Sequence, residues 1–152
     1  MTMNRALGAA GAVLTMGAAT VVVTWWLVGD LTIRGYGTDL DYAVRPPHWS
    51  AAAVRWAGVS ALLVLLAGLV LLGAGSLRRW FPWQWWVVMA LLVISGAVIG
   101  YSGRVATAGV IGANIGEGLA VLLFGPIAAG LTLGALVQAV VLLRREWTGG
   151  RP

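Results

Sequence analysis

Three polar residues, Arg104, Asn114 and Glu117, are the best placed in this sequence to do chemistry. Glu117 precedes an apolar run, and a carboxylate at a helix N-terminus is stabilised by the unpaired amides and the helix dipole. Arg104 can pair with that carboxylate, which gives a purely structural interpretation. The alternative hypothesis is a polar vestibule for an ion or small solute, because ionisable groups at membrane depth are costly and tend to be functional.

Other kinds of site find little support in the sequence. His48 is the only histidine and stands beside Trp49, which favours a headgroup position over a metal or haem site. Asp39 and Asp41 are too few to predict more than a solvated turn. The chain has no cysteine, so thiolate and disulfide chemistry are excluded. We therefore expect no catalytic residues, no metal, no cofactor and no enzymatic activity.

The composition determines the environment in which these residues lie. Of 152 residues, 60% are hydrophobic and only 10% are charged, which indicates a chain whose main solvent is lipid. The ten basic residues are all arginine and flank apolar runs instead of forming a stripe, so we expect no nucleic-acid binding. The lipid bilayer is the expected partner. The absence of lysine and the predominance of Ala, Gly, Val, Leu, Arg and Trp resemble the usage of a high-GC bacterial genome, from which we predict a bacterial cytoplasmic (inner) membrane location.

Four apolar runs are long enough to cross a hydrocarbon layer, which takes about 20 helical residues each. Continuous apolar runs predict helices, because lipid offers no hydrogen-bond partner to the backbone. The predicted fold is all-α, a single membrane domain over 1–152 that forms a four-transmembrane-helix antiparallel bundle. The short connection between the second and third runs predicts that these two are antiparallel neighbours. The predicted spans are 7–28, 57–77, 85–101 and 118–143.

Arginine placement favours a cytoplasmic location for both termini, by six arginines against four. The cytoplasmic side would carry Arg5, Arg78, Arg79, Arg144, Arg145 and Arg151, and the outer side Arg34, Arg45, Arg55 and Arg104. Tryptophan prefers the headgroup level, which predicts two aromatic belts. The outer belt comprises Trp25, Trp26, Trp49, Trp56 and Tyr101, and the inner belt comprises Trp80, Trp83, Trp85, Trp86 and Trp147.

Two connections lie on the predicted outer side. The loop at 29–49 carries charges and prolines and is the one soluble segment large enough to recognise a partner. The glycine-rich segment at 102–118 is too short to span the membrane and too apolar for a hydrated loop. It is predicted to be either interfacial or re-entrant.

Glycines spaced four apart lie on one face of a helix and allow two backbones to approach closely. Gly96 and Gly100 in the third span, and Gly130 and Gly134 in the fourth, follow this spacing. We predict that both pairs pack against other helices within the chain. The alternative is a face for a homo-oligomer.

The leading functional hypothesis is a non-enzymatic integral membrane protein, acting as an accessory or structural subunit of a larger membrane complex or binding a partner through the outer loop. No charged residue stands in the middle of a predicted span, which argues against an ion-coupled carrier. The alternative is a small oligomeric channel or carrier whose route passes Arg104, Asn114 and Glu117 and a kink at Pro126.

Overall fold

The computed structural model describes residues 3–33, 41–79, 82–110 and 113–149, and it folds these into an all-helical structure. The predicted all-α class is therefore confirmed. All four helices contain a stretch long and apolar enough to cross a membrane. Trp80 and Asp39 lie outside the described residues, as do the side chains of Asn114 and Trp147. The helices are α1 (Met3–Val28), α2 (Ala51–Leu77), α3 (Gln84–Ala106) and α4 (Ala113–Gly149).

The helices extend beyond the apolar runs that predict them, because small and polar residues outside the runs continue the helical turns. The Ser50 side chain accepts a hydrogen bond of 3.1 Å from the amide of Ala53 and caps α2, as this residue type favours. Gly29 follows α1 with φ +73°, a left-handed conformation that glycine adopts without a steric cost. These ends leave a connection between α3 and α4 that is much shorter than the predicted glycine-rich segment.

The helix α1 lies in the middle of the structure. Its contacts with α3 pair residues whose numbers rise together, so these two helices run in the same direction where they touch. Its contacts with α2 run in the opposite order, as do those between α3 and α4. One end of the molecule thus gathers the end of α1, the start of α2, the end of α3 and the start of α4. We call it the loop end.

The predicted neighbour relation between the second and third spans is wrong. Among the described residues α2 packs on α1 and not along α3. A hydrogen bond of 2.8 Å from the Trp86 indole nitrogen to the Ser76 hydroxyl joins them only where α2 ends and α3 begins. A short connection keeps two helix ends close, but α1 offers α2 a better surface along its length.

Glycines of α2 and α3 lie at the contacts that these helices make with α1. A Cβ atom built on Gly96 would stand 2.5 Å from the carbonyl oxygen of Gly17, and one on Gly100 would collide with the carbonyl oxygen of Val21. On α2, a Cβ on Gly68 would stand 2.6 Å from the Met16 side chain. At Gly96 and Gly100 the two backbones approach so closely that only a hydrogen atom fits, whereas at Gly68 the Met16 side chain fills the space.

The second predicted glycine pair does not behave in this way. A Cβ on Gly130 would meet nothing within 4 Å, and one on Gly134 would reach only a methyl group of Leu91, at 3.9 Å. Both residues are exposed on α4. The packing role predicted for Gly130 is therefore wrong, and Gly134 lies near α3 without the close backbone approach of Gly96 and Gly100.

The largest buried cluster lies towards the end opposite the loop end, where α2 connects to α3. Trp85 is 1% exposed and belongs to a buried cluster with Val13, Met16 and Leu92. Leu72 of α2 and Leu142 of α4 also belong to this cluster, so all four helices contribute to it. The sequence predicts that Trp85 offers its ring to lipid headgroups, but the ring instead fills the space between helices.

One polar link crosses the interior between α3 and α4. The buried Ser95 hydroxyl lies 3.0 Å from the carbonyl oxygen of Ala128, to which it donates, and 2.8 Å from the Thr132 hydroxyl. A hydroxyl inside an apolar span needs such partners, because an unpaired one costs free energy. The helix α4 continues through Pro126.

Candidate functional site

The first loop, which connects α1 to α2, folds back onto the end of α3. The amide of Ile33 donates to the carbonyl of Gly109 at 3.1 Å, and the amide of Val44 donates to the carbonyl of Ala106 at 3.0 Å. The amide of Val110 donates to the carbonyl of Asp41 at 3.2 Å, within an antiparallel bridge. The described parts of the loop are thus attached by backbone bonds to the segment that follows α3.

Two side chains of the loop complete this attachment. The Thr32 hydroxyl accepts a hydrogen bond of 3.2 Å from the amide of Gly109. The backbone amide of Thr32 donates to the Asp30 carboxylate at 3.0 Å. The Tyr42 ring packs so closely on Gly109 that a Cβ atom there would stand 2.7 Å from the ring. A side chain at position 109 would therefore displace the Tyr42 ring from its present place.

Arg104 connects α3 to the end of α1. Its Nε donates a hydrogen bond of 2.6 Å to the carbonyl of Trp25, and its Cζ lies 3.5 Å from the centroid of the Trp25 ring. Trp25 is in the last turn of α1, where carbonyls lack an intrahelical partner and the helix dipole favours a cation. The guanidinium thus closes the end of α1 and gains a cation–π contact.

The contacts of Arg104 form part of a larger cluster. The Trp25 ring meets the Trp49 ring edge to face, with centroids 6.1 Å apart. The Asp30 carboxylate attracts the Arg104 charge. Loop, α1 and α3 are therefore held together by one group of aromatic and charged side chains.

A polar cavity of about 530 Å³ opens beside this cluster. Its walls come from the loop, from the ends of α1 and α3 and from the start of α2. Three charged side chains line it, Asp30, Arg55 and Arg104, together with the polar side chains of Thr32 and Tyr42. Arg55 is exposed on α2 and has no hydrogen bond or ion pair with another described residue.

An apolar cavity of about 410 Å³ lies between α1, α2 and α3. Val21, Val22 and Ile99 line it, and so do Ala57 and Gly103. Trp25, Pro47 and Trp49 line both cavities. The two cavities are therefore adjacent, and they share an aromatic and proline wall.

The predicted vestibule residues are not brought together as one site. Arg104 lines the polar cavity, whereas Glu117 is half-buried on α4 and lines neither cavity. No hydrogen bond or ion pair joins Arg104 to Glu117 among the described residues. Glu117 is also beyond the first turn of α4, which begins at Ala113, so the predicted position of its carboxylate at the helix N-terminus is wrong. The side chain of Asn114 lies outside the described part of the chain.

Sequence reasoning missed that Arg104 meets α1, although the signal was present. Gly96, Gly100 and Arg104 stand four residues apart, which places them on one helix face. The first two touch α1, so the third must lie over the next turn of the same helix. The acidic and histidine side chains of the described ranges form no group of three that would hold a metal ion.

No family model, no curated protein and no solved structure matches this chain. The site must therefore be interpreted from its own geometry. Its main features are the first loop docked on the end of α3, the polar cavity and the adjacent apolar cavity.

Proposed function

We propose that the chain is a non-enzymatic, multi-pass protein of a bacterial cytoplasmic membrane, in which its four helices insert as an antiparallel bundle. Its role would be that of an accessory or structural subunit that presents the first loop to another protein. The four apolar helices support the membrane assignment. The absence of a nucleophile paired with a base in the sequence supports a role that does not involve catalysis.

The observation that carries this proposal is the attachment of the loop to α3. A loop held by backbone hydrogen bonds from Ile33, Val44 and Val110 loses little conformational entropy when a partner binds it. The loop is also polar, and it is the longest connection between helices in the chain. These properties suit a recognition surface that stands above the membrane.

Gly109→Leu tests the loop as a recognition surface. A leucine side chain at this position collides with the Tyr42 ring, and we expect the displaced ring to loosen the loop from the segment that follows α3. We expect the amount of any protein partner that co-purifies from native membranes in mild detergent to fall at least about tenfold in this variant. Quantitative mass spectrometry of cross-linked complexes measures the loss.

Gly116→Leu is the matched control, because a Cβ atom there meets nothing within 4 Å. It lies on α4 near the same end of the molecule and should retain the partner. Equal partner recovery from wild type and from Gly109→Leu would contradict the proposed role of the loop.

The orientation is tested by labelling single cysteines introduced at Thr38 and Thr148. Arginines at the ends of α2 and α4 favour the cytoplasm, so the first loop should lie outside. In intact cells we expect a membrane-impermeant maleimide to label Thr38→Cys at least about tenfold more than Thr148→Cys. The reverse pattern would show that the protein is inserted the other way round, and labelling of both in lysed cells confirms their reactivity.

A further inference from the structure

We propose that the polar and apolar cavities at the loop end together bind one anionic phospholipid. Its phosphate headgroup would occupy the polar cavity, between Arg55 and Arg104, and one acyl chain would occupy the apolar cavity. This proposal rests on the membrane insertion proposed above and does not depend on a protein partner.

The first support is the arrangement of the two cavities. They share Trp25, Pro47 and Trp49 in their walls, so they lie close enough together for the two parts of one lipid to reach both. Tryptophan side chains prefer the boundary between headgroups and acyl chains. The shared wall therefore stands where the polar and apolar parts of a lipid meet. Both volumes lie within the range of about 300–1,000 Å³ that is usual for ligand sites.

The second support is the charge of the polar cavity. Arg55 and Arg104 contribute two positive charges and Asp30 one negative charge, so the described charged side chains that line the cavity carry a formal excess of one positive charge. Guanidinium groups suit phosphate because their planar array of donors matches its oxygen atoms. A headgroup with one net negative charge, such as phosphatidylglycerol, balances this excess.

The two arginines would have different roles. Arg104 is held in place by the Trp25 carbonyl and ring, so little entropy is lost when it binds an anion. Its other guanidinium nitrogens donate no hydrogen bond to a described residue. Arg55 is exposed and has no described partner, so it can move towards the phosphate.

The apolar cavity favours a lipid over a soluble anion. Its lining comes from the valine, isoleucine, alanine and glycine residues of three membrane helices, next to the aromatic and proline wall. An acyl chain that fills this space gains van der Waals contacts with the protein. A soluble phosphate ester would leave the apolar cavity empty. A phospholipid with the same phosphate group should therefore bind more tightly than the soluble ester.

The test is native mass spectrometry of the full chain in mild detergent, titrated with phospholipids of identical acyl chains. We expect phosphatidylglycerol to bind at least about fivefold more tightly than phosphatidylcholine, as one basic side chain at a membrane surface typically provides. Arg55→Gln should weaken phosphatidylglycerol binding by about the same factor. Arg45→Gln, which removes another exposed arginine that lines neither cavity, should leave the binding unchanged.

The acyl-chain cavity is tested separately. Ala57→Phe places a ring at the wall of the apolar cavity and should weaken lipid binding while Arg55 and Arg104 remain. Soluble glycerol phosphate should not displace the bound lipid at equal concentration. Displacement by it would overturn the two-cavity site in favour of a soluble phosphate site.

Other outcomes also overturn the proposal. Equal binding of all three headgroups, phosphatidylethanolamine included, would show only general lipid contact. Tightest binding of phosphatidylethanolamine would instead assign the site to a zwitterionic headgroup with its ammonium on Asp30. Equal effects of Arg45→Gln and Arg55→Gln would show that surface charge alone is responsible. Correct cysteine labelling alongside any of these results would leave the proposed membrane insertion intact.

Discussion

Replacement of Gly96 by leucine should separate α1 from α3. A Cβ atom at this position stands 2.5 Å from a backbone oxygen of α1, which cannot rotate away as a side chain would. Overpacking typically costs about 1–3 kcal/mol, and we expect Gly96→Leu to lower the free energy of unfolding by about 3 kcal/mol. Unfolding of the purified protein in detergent, followed by circular dichroism, measures the change.

Gly130→Leu is the control for this prediction. Both glycines belong to pairs with the same spacing, but a Cβ on Gly130 meets nothing within 4 Å. We expect a change of less than about 0.5 kcal/mol, as is usual for exposed positions. An equal loss of stability in both variants would contradict the close α1–α3 contact as the cause.

Trp85→Ala should be the most destabilising single truncation in the core. The ring is 1% exposed and lies in the cluster to which all four helices contribute. Removal of a buried tryptophan ring typically costs about 3–5 kcal/mol, because a cavity remains that its neighbours fill only in part. Thermal unfolding in a fixed detergent measures the effect.

Trp83→Ala provides the comparison, since Trp83 is two residues away and 69% exposed. We expect its loss to cost less than about 1 kcal/mol, because an exposed ring packs against few atoms of the protein. Equal destabilisation by Trp83→Ala and Trp85→Ala would show that the two rings contribute equally to stability. The assignment of Trp85 to the core would then be wrong.

The number and type of the helices could be predicted from the sequence alone. Runs of apolar residues about 20 long have one stable conformation in lipid, because each backbone group must find its partner within the same segment. The cap at Ser50 follows from the same local chemistry. Helix ends were harder to predict: α3 continues to Ala106 and α4 begins at Ala113, since small and polar residues there extend a helix without adding to an apolar run.

The partners of each helix could not be predicted in this way. Gly96 and Gly130 have equivalent surroundings in the sequence, yet the first lies against α1 and the second is exposed. Which face a helix turns inward depends on the shape of its neighbours, and spacing along one chain contains no information about that shape. For the same reason α2 packs on α1 and not on α3, although the connection from α2 to α3 is short.

For the candidate site too, some features could be predicted from the sequence and others depend on the tertiary structure. The sequence by itself determined that Arg104 lies near a helix end and that a polar loop follows α1, because composition and periodicity are local properties. Only the tertiary structure placed the guanidinium on the Trp25 carbonyl and ring, near Asp30 and not bonded to Glu117. The physical reason is the close approach of α1 and α3 at Gly96 and Gly100, which brings the unpaired end of α1 within reach of Arg104.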